Sequence, residues 1–280
     1  MASLSTSCRA PGGNPTRFVV RAHALSTREL FLDASLEVGE LEALIPEALR
    51  TGLSIVGLES PCPRPAAARA PWLAGPEADE RLEAARLCEA TLRRAAELGA
   101  RVVVVKLGEL AGFDAAAVLR KFGRRQLDDE AREKLVETRR SLSLRALDRA
   151  RFGLERVLDA AAAAGVTLGI ANRAFWYEIP SAAETAALVD DLRGAPIAPW
   201  YDAAAAHVRR ALGFGNGRPA VERAAACGAW LADAAGPRAG LPWGTGEVDP
   251  ASLADLPAGV PRVVHCLPLA TDEELAAALA

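Results

Sequence analysis

The sequence predicts an α/β chain closed into a (β/α)8 barrel, on three observations. Short apolar runs alternate with helical patterns along the chain, and several of those runs are apolar at every position, as strands buried on both faces are. The length of 280 residues suits one large domain, because single cores stop growing near ~250–300 residues. An open doubly wound sheet is the rival, but no G-x-G-x-x-G follows the first strand, so its usual cofactor signal is missing.

Residues 1–16 carry Ser, Thr, Gly, Pro and Asn with almost no bulky apolar side chains. They are expected to form a flexible tail, leaving 17–280 as the barrel. Arg17-Phe18-Val19-Val20-Arg21 predicts the first strand, and Ser26-Thr27-Arg28-Glu29 has the form of a helix capping box. Leu41, Leu44, Ile45, Ala48 and Leu49 recur at helical spacing up to Gly52, and residues 53–58 then turn β-like, ending at Glu59. The Pro61-Cys62-Pro63-Arg64-Pro65 stretch predicts that a third strand here is short or missing.

Leu82, Ala85, Cys88, Leu92 and Ala95 mark a helix closed by Gly99, and residues 101–107 hold four consecutive valines. A long helix runs over about 128–164, with Leu147, Leu154, Val157 and Leu158 on one face and Gly165 at its end; residues 166–170 are the next strand. Then come the capping box Ser181-Ala182-Ala183-Glu184, a strand at 197–201, a helix near 204–212, an apolar run at 227–231, a last strand at 262–266 and a short capped helix from Thr271. Seven clear strands and one doubtful one give eight, the number that closes this barrel.

Lysine and arginine total 33 against 36 aspartates and glutamates, for a net charge of −3. No polyanion is attracted by overall charge, so a nucleic-acid partner is not expected. No apolar run approaches the roughly 20 residues of a membrane span, and the opening residues have no signal-peptide core, so no membrane partner and a cytoplasmic location are expected. The five cysteines, Cys8, Cys62, Cys88, Cys227 and Cys266, lack C-x-x-C spacing and are read as reduced core thiols with no activated nucleophile among them.

Five stretches carry a family resemblance: residues 95–104 (AAELGARVVV), 165–173 (GVTLGIANR), Trp200-Tyr201-Asp202, Trp230-Leu231-Ala232-Asp233 and 244–249 (GTGEVD). In their order and spacing they resemble the sugar phosphate isomerase/epimerase family, the xylose isomerase-like TIM barrels that share a fold with the endonuclease IV group, over most of 17–270. The resemblance implies a divalent metal at the carboxyl ends of the strands. Its ligands would be a Glu before Asn-Arg, an Asp with a His three residues on, a His in a His-x-His-Asp segment and a Glu on the last strand. Such an ion would stabilise an enediolate. Here those positions read Ala171, Asp202 with Ala205, Trp230 and His265. Only Asp202 matches, and one carboxylate does not hold such an ion tightly; no metal and no other cofactor is therefore expected.

The residues left at the strand ends are the candidate site. Lys106, Asp202 and His265 are the candidate acid–base groups, and Arg173, Asn172, Trp230 and Glu247 the candidate substrate contacts. Each has a plainer alternative: Lys106 reaching solvent, Asp202 capping the next helix, Arg173 in a local ion pair with an acid such as Glu178, and the Gly-rich turn around Glu247 serving only sterics. Trp230 is expected to fill the space of the ion. His207 and His23 are weaker candidates.

Two functions follow from the resemblance. One is a degenerate sugar phosphate isomerase/epimerase-like barrel without its metal, binding a polyhydroxylated or phosphorylated small molecule or a partner. The other is an active metal-independent isomerase or epimerase using Lys106, Asp202 and His265. An apurinic endonuclease fits worst, for want of a histidine-rich cluster and a basic face. Counting Arg173 and Lys106 against Asp202 leaves positive charge, which favours a polyhydroxylated phosphate or carboxylate, a sugar phosphate among them, over a neutral sugar; homo-oligomerisation stays open.

Overall fold

A computed structural model describes residues 2–9, 14–66, 70–112, 114–123, 128–214, 225–266 and 270–280. In chain order the elements are β1 Ser3–Ser5, α1 Pro15–Ala24, β2 Glu29–Leu32, α2 Val38–Arg50, β3 Ser54–Glu59, α3 Ala78–Glu97, β4 Val102–Val105, β5 Gly108–Glu109, α4 Ala115–Gly123 and α5 Asp129–Ala164. They continue with β6 Thr167–Ala171, β7 Glu178–Ile179, α6 Ala182–Asp191, β8 Ile197–Asp202, α7 Ala203–Ala211, β9 Gly228–Leu231, β10 Asp233–Ala235, β11 Arg238–Leu241, β12 Arg262–Val264 and α8 Asp272–Leu279. Eight of the strands close a parallel barrel in the order β1-β12-β9-β8-β6-β4-β3-β2, the TIM barrel that the sequence predicts.

The valines of β4 show how the walls divide. Val102 and Val104 face the barrel interior with Phe31, Val56, Ala171, Trp200, Trp230 and Val263, while Val103 and Val105 join the layer between strands and helices. A pleated strand sends alternate side chains to opposite faces, and here both faces are buried. Two indoles and Phe31 fill most of the interior: Trp200 and Trp230 lie 5.9 Å apart, and Phe31 sits 5.6 Å from Trp200 and 6.3 Å from Trp230. Gly228 makes room for this, since a Cβ there would lie 2.2 Å from the Trp200 ring.

The amino-terminal third departs from the sequence-based expectation. The expected tail contains β1, whose residues are buried and pair with both β2 and β12; residues 1 and 10–13 of that tail lie outside the described residues. Small serines let so short a strand fit: Ser3 donates from Oγ to Glu29 at 2.8 Å, and Leu4 enters the core.

The predicted strand at 17–21 is helix α1 instead. Asn14 caps it, its side chain accepting from Thr16 N–H at 2.8 Å, and Pro15 occupies the first turn. Phe18, Val19 and Ala22 are buried and Val20 exposed, a helical pattern read as β because its residues are β-branched.

The Ser26–Glu29 capping box does not form. Ser26 sits at φ +58, whereas an N-cap needs extended backbone, and residues 29–32 run on as β2. The proline-rich stretch forms no strand among the described residues between β3 and β4; residues 67–69 lie outside them. Two of the eight barrel strands, β1 and β2, thus stand where the sequence predicts a tail and helical material. Later elements match, including the α5 stop at Gly165 in left-handed conformation and the capping boxes at Ser181 and Thr271.

Candidate functional site

The carboxyl ends of the barrel strands gather the polar side chains, as parallel barrels do. β1 leads to Ser5 and Ser7, β2 to Asp33, β3 ends in Glu59, β4 runs into Lys106, β6 into Asn172 and Arg173, β8 ends in Asp202, β9 leads to Asp233 and β12 to His265. Asp33 and Glu59 are buried acids that the sequence reading did not single out. Their one available signal was position, the last residue of a strand or the next one along.

Lys106 forms an ion pair with Glu59, and its ammonium lies 5.0 Å from the centre of the Trp230 ring. Burial works to raise the Glu59 pKa, but the Lys106 charge, with His265 and Arg173 beyond it, holds the carboxyl below its ordinary value. Trp230 is only 1% exposed and stacks on His265 with ring centres 4.8 Å apart. It therefore packs as the floor of the mouth and offers little face to a ligand. His265 Nδ1 lies 3.2 Å from both Ser5 Oγ and Ser7 Oγ. Burial, reinforced by Lys106, lowers the imidazole pKa, so the ring is neutral near pH 7.

Asp202 caps helix α7, its carboxylate accepting from Ala205 N–H at 2.9 Å. Burial raises its pKa despite that bond and despite His265, Lys106 and Arg173. These mutual effects bring Lys106, Asp202, His265 and Arg173 into one electrostatic group, with Glu59 and Asp33 among its members. Asp33 receives Ser35 N–H at 2.6 Å on Oδ1, while its buried Oδ2 has no hydrogen-bond partner among the described residues. The indole N–H groups of Trp200 and Trp230 are unpartnered too. Such atoms ask for an explanation in a packed interior.

Three candidates are held by contacts within the protein. Asn172 turns its amide to the backbone of Asp202, donating at 3.0 Å to its carbonyl and accepting at 2.7 Å from its N–H, and so ties β6 to β8. Arg173 pairs with Glu178, which also takes Phe175 N–H at 2.9 Å. Glu247 is 61% exposed and faces His207 at 3.3 Å and Gly236 N–H at 3.0 Å, and none of its described contacts reaches the Lys106 group.

The loop around Glu247 is held by Asp233, whose carboxylate accepts from the N–H groups of Ala234, Gly244, Gly246 and Val248 at 2.8–3.0 Å. A Cβ at Gly246 would come within 2.5 Å of the Asp233 carboxylate. The Gly-Thr-Gly turn is thus explained by sterics and by a buried acid. The expected surplus of positive charge is also corrected, because Lys106 and Arg173 each have an anionic partner.

The donor set does not fit the divalent ion that the resemblance implies. Ala171 offers a buried methyl, Asp202 caps a helix, Trp230 presents carbon, and His265 points Nδ1 at serine hydroxyls. Among the described residues no three His, Cys, Asp or Glu side chains are grouped to hold one ion. No described helix is long and apolar enough to cross a membrane.

Comparison with known proteins agrees with this architecture. No curated protein matches in sequence. Among solved structures, 3-keto-D-glucoside 4-epimerase from E. coli superposes with a TM-score of 0.67 at 14% identity, covering 99% of this chain and 97% of that one. D-psicose 3-epimerase from Clostridium cellulolyticum, solved with D-tagatose, gives 0.67 at 14% over 99% and 96%, and D-allulose 3-epimerase from Methylomonas sp. gives 0.68 at 13% over 99% and 95%. At such identities the likeness establishes the fold alone. Residues 25–254 match the family described as xylose isomerase-like TIM barrel, and to that family this chain belongs.

Proposed function

We propose that the barrel mouth binds a small polyhydroxylated sugar without a divalent metal, as a degenerate member of its family. The observation that carries this reading is the Lys106–Glu59 ion pair lying against Trp230. A fixed ammonium and an indole stand among the strand ends where the resemblance expects an ion and its ligands. With both cations paired and Asp33 Oδ2 unpartnered, the mouth has more acceptors than spare positive charge. That balance suits the hydroxyl donors of a neutral sugar better than a phosphate. The solved structures of similar fold include a 3-keto-D-glucoside 4-epimerase and a D-psicose 3-epimerase with D-tagatose, which makes ketohexoses the first ligands to try.

Titration calorimetry with D-psicose, D-tagatose, D-fructose and their phosphates, each with and without EDTA, tests this. Saturable binding of a neutral ketose that EDTA leaves unchanged is expected, without turnover. No binding by any sugar, or about one tightly held divalent ion per chain by elemental analysis, would overturn it.

One observation favours catalysis as a second reading. Burial keeps His265 neutral beside the Lys106 ammonium, so the imidazole could take a proton from the carbon next to a sugar carbonyl while the ammonium steadies the enediolate oxygen. Exchange of that carbon-bound hydrogen in deuterated water, resistant to EDTA and lost in His265→Gln and Lys106→Met, would make the chain an enzyme.

A further inference from the structure

The barrel closes where β1 meets β12, with Leu4 opposite Val264. Each of these strands has three residues, which makes this a thin seam. Beyond each strand stands a polar residue followed by cysteine, Ser7-Cys8 one residue past the end of β1 and His265-Cys266 directly after β12. The two segments, 258 residues apart in sequence, meet side by side: Ser7 Oγ lies 3.2 Å from His265 Nδ1, and Cys8 Sγ lies 3.1 Å from Cys266 Sγ. Both thiols are buried, and Cys8 also reaches the Val264 carbonyl at 3.5 Å.

We propose that Cys8 and Cys266 are an oxidation site, forming an intramolecular disulfide with hydrogen peroxide that staples the first barrel strand to the last. The sulfurs need to approach by about 1 Å to reach a bond of about 2.05 Å. In the first step the Cys8 sulfur attacks one peroxide oxygen; the O–O bond breaks, leaving a Cys8 sulfenic acid and one water. In the second, Cys266 gives up its proton and its sulfur attacks the Cys8 sulfur, expelling the hydroxyl as a second water. Two thiols and one peroxide become one disulfide and two waters, and no other reagent is needed.

The chemistry also separates Cys8 from the other cysteines, its partner Cys266 included, whose thiol is pushed up by Cys8 and by burial. The hydrogen bond with Cys266 is the main cause that holds the Cys8 thiol below its ordinary pKa in spite of burial. Burial pushes Cys62, Cys88 and Cys227 up to about 12, so almost none of their thiolate exists near neutral pH, and none of their described contacts is with another cysteine. Because Ser7 and His265 are the chain neighbours of the two sulfurs, the cross-link also fixes the serine against the imidazole at the mouth. The proposal is independent of which ligand the mouth takes.

The test treats the full chain with hydrogen peroxide, denatures it, alkylates it and maps its peptides without reduction. Free thiols should fall from five to three, with a Cys8–Cys266 linked peptide, and dithiothreitol should restore all five. The urea midpoint should rise on oxidation and return on reduction. Cys88→Ser should keep the two-thiol loss, and Cys8→Ser should abolish it. The parent's peptide map decides the matter if Cys8→Ser fails to fold. Five thiols retained, a link through Cys62, Cys88 or Cys227 or between two chains, or over-oxidation of Cys8 without a link would each overturn the proposal.

Discussion

Trp230→Ala distinguishes a floor from a platform. The indole is 1% exposed and contacts Phe31, Trp200, His265 and Lys106, so truncation opens a cavity in the barrel interior. Core aromatic-to-alanine changes cost about 3–5 kcal/mol. Its N–H is buried without a partner; removing it recovers about 1 kcal/mol or more of that cost, which favours the lower end. With an unfolding entropy of about 2.1 cal/mol/K per residue over 280 residues, each kcal/mol lowers Tm by about 1.7 °C, so a fall of about 5 °C is expected. Trp230→Phe keeps most of the packing and drops the unpaired donor, so it should lose less than half as much. Differential scanning calorimetry of the three proteins, with ligand titration alongside, gives the comparison. A Trp230→Ala Tm within about 1 °C of the parent, together with abolished sugar binding, would refute the reasoning and make Trp230 a ligand face.

Three further outcomes are expected. Burial holds the His265 pKa below 6.5, so between the folded value and 6.5 the unfolded chain binds more protons and stability falls as pH drops. Asp202, raised by burial, tilts the profile the other way, so the readout is the difference between parent and His265→Gln in urea-derived stability at pH 5 and pH 7. Equal pH slopes for the two proteins count against it. Asp233→Ala strands four backbone N–H groups and should cost about 3 kcal/mol or more, with proteolysis appearing at residues 242–249; an unchanged urea midpoint would show that water replaces the carboxylate. Glu247→Ala breaks an exposed pair with His207 and an exposed hydrogen bond from Gly236 N–H and should change stability by about 1 kcal/mol and leave sugar affinity unaltered, whereas a tenfold weaker ligand would return Glu247 to the site.

From β3 onward the barrel was legible because each strand there is a run apolar on both faces and each helix ends at a glycine or opens at a capping box. Before β3 those rules competed. Phe18-Val19-Val20 has the β-branched composition of a strand, but Asn14-Pro15 upstream is a cap followed by a first-turn proline, and the cap outweighed composition. Ser26-x-x-Glu29 has capping spacing, but the pattern says nothing about whether the serine takes extended backbone, and its left-handed φ ends α1 instead. Ser3-Leu4-Ser5 is too short and too polar for any periodicity to detect. It is a strand only because β2 and β12 stand on either side with open edges, and that is a fact of closure.

The candidate site divides by the same logic. Strand-end position sufficed to bring Lys106, Asp202, Arg173 and His265 together, since topology sends every such residue to one face. What single positions do not reveal is how they pair. The sequence count of Arg173 and Lys106 against Asp202 leaves positive charge only if the two carboxylates that end β3 and form β7 are left out of the sum. Once Glu59 and Glu178 are included, each cation has its own anion, and Asp33 remains with an oxygen that no described group meets. A dianionic phosphate entering this mouth would meet the carboxylates of Glu59, Glu178 and Asp33 beside the two cations, and that like-charge repulsion works against the attraction. A sugar hydroxyl donating to Asp33 meets no such repulsion, and for that reason the neutral ketoses are the stronger expectation.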